Sequence, residues 1–359
     1  MIDEYQKLEL VQDLFDQEQF EEGYAFLEQL EEEYASNEDM LFEIGVFYYD
    51  VGHIDKSLTI FRKVEPLVRG DEEFLYECRL YQSSALIELG KMDEALDLLM
   101  VLKEEKEGEE DSRLYSLLGQ LYRIEGLSEV AIGYFQKALS FNPDHKEEIL
   151  YWLGELYEES GEDQKALDIW KGISGFTEEE EFLVKSANLE ARRGEFEKAK
   201  ALFEKAIEIS VSPEALFGCG IVCYQMGDWT SAVRRFSQLI EKDPEYVAAY
   251  PLLGEALWEL KLKDQAIAVY NQVLGIQSED IHLVDRFLML LTETGRWQEV
   301  KDYIGKMHDI DEEDPILFYW KGRIAEKEGN IRDAIALYQK VQMGEETIHD
   351  TIQRLNNII

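Results

Sequence analysis

Residues 112–145 read SRLYSLLGQLYRIEGLSEVAIGYFQKALSFNPDH. Tyr115, Leu118, Gly119 and Tyr122 fall at i, i+3, i+4 and i+7, the spacing that puts four side chains on one face of a helix. Ala131, Phe135 and Ala138 do the same for a second helix. Gly126 stands between the two faces, where a left-handed residue ends the first helix. The small residues Gly119 and Ala131 let the two backbones come close. The stretch therefore predicts a helical hairpin closed on its own apolar faces.

Working outward, the same pattern recurs. Gly161-Ala166-Trp170, Gly194-Ala199-Phe203, Gly227-Ala232-Phe236 and Gly329-Ala334-Tyr338 repeat the spacing of Gly126-Ala131-Phe135. Repeats begin near 4, 38, 76, 112, 147, 180, 213, 247, 281 and 315, and the extra residues of the longer ones fall between repeats, where loops accept insertion. Counting from each start, eight repeats hold glycine at position 15: Gly52, Gly90, Gly126, Gly161, Gly194, Gly227, Gly295 and Gly329. Ser212-Pro213 and Asp314-Pro315 read as an N-cap followed by proline at the first helical position. Pro66 is expected to end the second helix of its repeat early. The first repeat is degenerate, with Val11 and Gly23 at positions 8 and 20, as suits a terminal cap. The repeat from 281 carries Leu288 and Val300 there, so its helices are expected to pack less closely.

These residues resemble the tetratricopeptide repeat family. Its pattern has a large apolar residue at position 4, Leu-Gly at 7 and 8, Tyr at 11, Ala at 20, Phe at 24, Ala at 27 and Pro at 32. Tyr115, Leu118, Gly119, Tyr122, Ala131, Phe135, Ala138 and Pro143 match it closely. Leu150, Leu153, Gly154, Tyr157, Ala166 and Trp170 match it again, as do Leu216, Gly220, Ala232, Phe236 and Pro244. The resemblance implies an all-α, right-handed superhelical solenoid of about ten helix-turn-helix repeats over residues 4–348. Residues 349–359 read as a capping helix or as the truncated start of a further repeat, the apolar ending Asn357-Ile358-Ile359 leaning to truncation. At whole-chain level the sequence resembles repeat proteins of Gram-positive bacteria.

Composition narrows the function. The 359 residues hold 77 acidic and 36 basic side chains, a net charge of −41. Such a field repels nucleic acid and anionic membrane surfaces and suits a basic or apolar protein partner. It also serves simply to keep an exposed array in solution. Three cysteines, Cys78, Cys219 and Cys223, make no disulfide framework and point to a reducing compartment. The N-terminus shows no signal-peptide pattern and no apolar run reaches membrane-spanning length, so a cytoplasmic protein is expected. The repeat pattern begins near residue 4, so no output domain is expected ahead of the array.

No catalytic constellation is read in the sequence. The five histidines sit in different repeats and no metalloprotease, nucleophile-elbow or phosphate-loop motif occurs. Cys219 and Cys223 share one buried helix face and read as core residues rather than metal ligands. The acidic runs 104–111 and 309–314 lack the spacing of a calcium loop and read as solvated connections. No cofactor and no metal is expected.

What remains is the groove that the family forms from positions 2, 5, 9, 12 and 13 of each first helix. The resemblance places there Tyr5, Phe15, Phe42, Tyr49, Tyr151, Phe217, Tyr224, Trp258 and Tyr319. Beside them fall Asp50, Glu88, Glu155, Glu158, Glu159, Glu255, Glu259 and Glu293. Aromatic anchors among carboxylates suit a basic, apolar segment, while the alternative is that the rings pack between repeats. The residues singled out for partner binding are Tyr151, Glu155, Glu158, Phe217, Tyr224, Glu255, Trp258 and Glu259. The Lys/Asn/Arg clamp of chaperone-binding relatives is not matched; Asn188 and Arg192 alone do not complete it. The leading reading is a non-catalytic scaffold or adaptor binding a protein or peptide segment on its concave face. A peptide-sensing regulator is the alternative, and an enzyme using pairs such as Glu155 and Glu159 is disfavoured. The sequence says nothing of oligomeric state.

Overall fold

A computed structural model describes residues 4–105, 111–173, 179–277, 280–307, 314–341 and 345–358. Among the described residues there are 21 α-helices and no strand. The chain divides into two compact units, Met1–Ser174 and Gly175–Ile359.

The first unit holds α1 (Glu4–Asp16), α2 (Phe20–Glu33), α3 (Glu38–Asp50), α4 (Ile54–Val64), α5 (Glu72–Glu88), α6 (Met92–Glu105), α7 (Ser112–Ile124), α8 (Ser128–Ser140), α9 (Lys146–Glu159) and α10 (Asp163–Trp170). The second holds α11 (Glu180–Arg192), α12 (Phe196–Ile209), α13 (Pro213–Gln225), α14 (Trp229–Lys242), α15 (Ala249–Glu259), α16 (Lys263–Leu274), α17 (Ile281–Glu293), α18 (Trp297–Lys306), α19 (Pro315–Lys327), α20 (Ile331–Tyr338) and α21 (Glu345–Asn356). Within each unit an odd-numbered helix packs on the even-numbered helix that follows, and that helix packs on the next odd one. Each unit is thus a solenoid of helical hairpins, held by contacts between neighbours in the chain.

The hairpins close by setting a ring against a glycine. A Cβ built on Gly119 would lie 2.7 Å from the Phe135 ring, one on Gly220 2.5 Å from Phe236, and one on Gly45 2.7 Å from Phe61. Phe61, Phe135 and Phe236 have no exposed surface. Any side chain at these glycines would have to displace the opposing ring. Where position 20 is Ser57 rather than alanine, its hydroxyl is buried and donates to the Gly45 carbonyl at 2.7 Å. Leu288 and Val300 are wholly buried. The α17–α18 contact they make is smaller than in any other such pair among the described residues. Two branched side chains there hold the backbones apart.

Each first helix ends the same way. The eight predicted glycines all have positive φ, from 71° at Gly90 to 82° at Gly329. Glu18 (φ 60°) and Lys261 (φ 66°) occupy the equivalent place after α1 and α15. Their amides follow the glycine pattern: Lys261 N–H donates to Trp258 at 2.9 Å and Leu262 N–H to Leu257 at 2.9 Å. That double bond satisfies the last carbonyls of the helix. At the other ends, Ser212 Oγ accepts from the Ala215 amide at 3.1 Å, and Asp314 Oδ1 from the Ile316 amide at 2.7 Å. Both helices carry proline at the start, and α4 stops at Val64, ahead of Pro66.

Candidate partner-binding surfaces

In the first unit, α3, α5, α7 and the start of α9 line an open cavity of about 320 Å³. Its walls include Tyr49, Glu77, Tyr81, Ser84, Glu88 and Arg113. The Tyr49 hydroxyl shares a 2.7 Å hydrogen bond with Ser84 Oγ and donates to the Glu88 carboxylate. Burial and the adjacent carboxylate push the Tyr49 hydroxyl well above the usual tyrosine range. Its ring meets Tyr81 edge-on at 6.2 Å, and Tyr81 in turn rests on Phe42 and Phe61, both at 5.4 Å. The aromatic wall is therefore fixed from behind by the core.

Arg113, the cation of this wall, is already held. It donates to Glu77 at 2.5 Å and to Asp111 at 3.1 Å. Burial opposes ionisation of Asp111, yet the bonds from Arg113 and Tyr76 outweigh it, and the carboxyl sits below its usual range. With Glu88 and Glu148 also in the wall, carboxylates are in excess, and the cavity is built to receive donors rather than acceptors.

The eight residues singled out from the sequence fall in both units. Tyr151, Glu155 and Glu158 lie half-buried on α9, with the Tyr151 ring edge-on to Trp152 at 5.2 Å. Phe217, Tyr224 and Trp258 lie in the second unit, half-buried against one apolar cluster. Phe217 packs on Tyr246 at 5.0 Å, Tyr224 meets Trp229 edge-on at 5.0 Å, and Lys263 sits 4.7 Å above Trp258. Burial, then the charges of Glu255 and Glu259, raise the Tyr224 hydroxyl, so these three residues form one neighbourhood. Glu259 is exposed. Glu255 is engaged within the chain: Arg286 donates to both its oxygens at 2.6 Å, and the Tyr270 hydroxyl donates at 2.8 Å. It acts as a clasp between α15 and α17. The sequence reading did not anticipate Arg286, which stands a full repeat away, nor Glu77, Ser84 and Arg113. Glu77 and Arg113 stand at groove position 2 and Ser84 at groove position 9 of their repeats, while Arg286 stands at position 6, outside the groove pattern; none is aromatic, and only Glu77 is acidic.

Cys78, Cys219 and Cys223 are free and buried. The Cys223 thiol is pushed up by its hydrogen bond with Cys219 and by burial, and burial pushes Cys78 up to about 11, so neither offers a thiolate at neutral pH. Among the described residues no cluster of three His, Cys, Asp or Glu is placed to hold a metal ion. No described helix is long and apolar enough to cross a membrane. Residues 106–110 and 309–313 of the two acidic runs lie outside the described residues, as does the side chain of Tyr5.

Comparison with known proteins finds the same repeat in the sequence. Tetratricopeptide repeat family models match residues 112–145, 181–210 and 220–281. The chain is 28% identical over 241 residues to the TPR repeat-containing protein YpiA of Bacillus subtilis, covering 65% of this chain and 53% of that protein. It is 22% identical over 303 residues to the TPR repeat-containing protein MJ1428 of Methanocaldococcus jannaschii, covering 79% of this chain and 52% of that protein. The chain thus spans about half the length of these curated relatives. Among solved structures, a tetratricopeptide repeat protein from Parabacteroides merdae has a TM-score of 0.45 at 19% identity, over 79% of this chain and 99% of that one. YrrB, described as a TPR protein with an unusual peptide-binding site, has a TM-score of 0.43 at 18% identity, over 55% of this chain and 97% of that one.

Proposed function

We propose that this chain, a tetratricopeptide repeat protein, is a non-catalytic scaffold that holds a basic or apolar segment of a partner protein on the faces of its first helices, the concave side in the family. The observation that carries the reading is the cavity of the first unit, where a core-backed aromatic wall meets surplus carboxylates and the one arginine is already paired. A Lys or Arg of a partner finds acceptors there, and its apolar neighbours find Tyr49 and Tyr81. In the second unit Phe217, Tyr224 and Trp258, with Glu259, are the proposed anchors, and on α9 Tyr151, Glu155 and Glu158. The family match supports interaction over catalysis. Three free cysteines support a reducing compartment, and we place the protein in the cytoplasm on that ground. We take each helix pair as one repeat, because a left-handed residue closes the first helix at the same step in every pair.

The test is capture of partners from the source cell, followed by calorimetry with the bound segment made as a synthetic peptide. Tyr49→Ala with Glu88→Gln, and separately Tyr224→Ala with Trp258→Ala, are each expected to weaken the segment that uses that surface by about 2–4 kcal/mol. Circular dichroism reports whether the fold persists. Normal binding by both folded double variants sinks the proposal. Unfolding of Tyr224→Ala with Trp258→Ala would instead assign those rings to the packing between repeats.

A further inference from the structure

We propose that the second unit carries a separate site for a carboxylate-bearing segment of a partner polypeptide, built on Arg323 and Lys327. The two cations face a cavity of about 510 Å³ walled by α18, α19, α20 and α21. That volume lies within the range of ligand sites. Trp297, Tyr319 and Tyr338 supply its aromatic surface.

The charges decide the ligand. Glu326 is the carboxylate of the wall, and it is already occupied: Arg354 donates to one oxygen at 2.5 Å and the Tyr338 hydroxyl to the other at 3.0 Å. Arg354 and Glu326 therefore cancel. Arg323 donates to the Tyr319 hydroxyl at 2.8 Å, and its guanidinium lies 5.4 Å from the Trp297 ring and 5.5 Å from Trp320. Lys327 Nζ lies 5.6 Å from the same Trp297 ring. Among the described residues neither cation forms an ion pair. In a chain with 77 acidic against 36 basic side chains, carboxylate partners are abundant. Two like charges at i and i+4 on one helix face repel each other. Here they share one ring instead of a carboxylate.

A carboxylate placed between the two cations removes that repulsion and fits the planar fork of Arg323. The rings beside it suit apolar side chains flanking the carboxylate. The chain's overall field favours a segment with isolated Asp or Glu over a phosphate dianion, because long-range repulsion grows with the ligand's charge. The site is opposite in sign to the cavity of the first unit and rests on none of the preceding proposal.

Calorimetry on the full chain tests it with three probes: a short blocked peptide with a single Glu between leucines, its Gln counterpart, and inorganic phosphate. The Glu peptide is expected to bind saturably and to weaken as salt rises. The Gln peptide, and the Arg323→Gln/Lys327→Gln variant with the Glu peptide, are each expected to lose about tenfold or more in affinity. Lys327 is exposed, so Lys327→Gln alone leaves the fold intact and gives a partial loss even where the double variant fails to fold. Lys91→Gln, an exposed position in the first unit away from either cavity, is expected to change nothing. Absence of Glu-peptide binding, equal binding of the Gln peptide, or undiminished binding by Lys327→Gln overturns the proposal. Displacement of the peptide by an equal concentration of phosphate overturns it too, in favour of a free-oxyanion site.

Discussion

The cavities of the two units are built at the same steps of the helix and carry opposite charge. Counting back from the left-handed residue, Glu88 stands two residues before Gly90 and Lys327 two before Gly329. Ser84 and Arg323 stand six before, Leu80 and Tyr319 ten before. In the first unit the cation is locked, Arg113 lying between Glu77 and Asp111. In the second, Arg323 and Lys327 rest on rings. The hairpin therefore fixes where side chains converge, and the residue types at those steps set the sign of what they receive. Glycine-on-ring packing, which holds the scaffold, uses other positions than these.

The strongest way to break the comparison is to break one scaffold. A Cβ on Gly154 collides with the Trp170 indole. Gly154→Leu is expected to destabilise the first unit by roughly 1–3 kcal/mol or more. Hydrogen exchange should show the loss centred on α9 and α10, with the α19 cavity unchanged, because each hairpin leans only on its neighbours. Loss spread evenly over both units would mean that they do not stand apart.

Next in size is the contrast between the two arginines. Arg113→Met leaves Glu77 and the largely buried Asp111 without their partner and is expected to cost about 1 kcal/mol in a chemical melt. Arg323→Met removes only stacking and one hydrogen bond, with relief of repulsion against Lys327, and is expected to cost about half that or less. Equal losses would erase the distinction between a locked and an available cation.

The shared register can be sharpened at Lys261. A side chain in the left-handed region costs roughly 1–2 kcal/mol, partly offset in glycine by the entropy of a freer unfolded chain. Lys261→Gly is thus expected to raise stability by about 0.5–1 kcal/mol. A drop in the melting temperature would show that Lys261 contributes a contact that outweighs its backbone.

The smallest effect concerns pH. The hydrogen bond from Lys200, then that from Ser231, brings the Asp228 carboxyl down to about 2. Because the folded value lies below the unfolded one, near 3.9, the stabilisation is complete above that pH and lost as pH falls toward the folded value. The pair is partly exposed, so Asp228→Asn is expected to cost less than about 1 kcal/mol at neutral pH. The difference from the parent chain should shrink as pH falls through about 2 and vanish below it. A difference that persists in acid would assign the loss to the helix cap rather than to charge.

The hairpins were legible because their determinants are local: a small residue, a ring and a glycine at fixed steps within one repeat. Glu18 and Lys261 were not legible as left-handed residues, because there packing imposes a conformation that the residue type does not announce. The Glu255–Arg286 clasp joins residues on different repeats, and no single-repeat pattern contains it. The α19 cations fell on positions read as aromatic or acidic for the whole array, since averaging over repeats hides one whose sign is reversed. Which of the eight groove residues meet a partner is a question of what is presented outward, and half-burial against the core is compatible with either role.

The rings set against glycines also make this chain its own clock. Phe61, Phe135 and Phe236 are wholly buried, each with one edge on a backbone that offers no side chain to push aside. A half-turn of such a ring sweeps space the closed hairpin does not have, so the ring turns only when the two helices part. The rate at which its two edges exchange in a magnetic-resonance spectrum is then the rate at which that one hairpin breathes. Read at Phe61 and Phe135 in one unit and Phe236 in the other, it times the opening of individual hairpins without a probe being added.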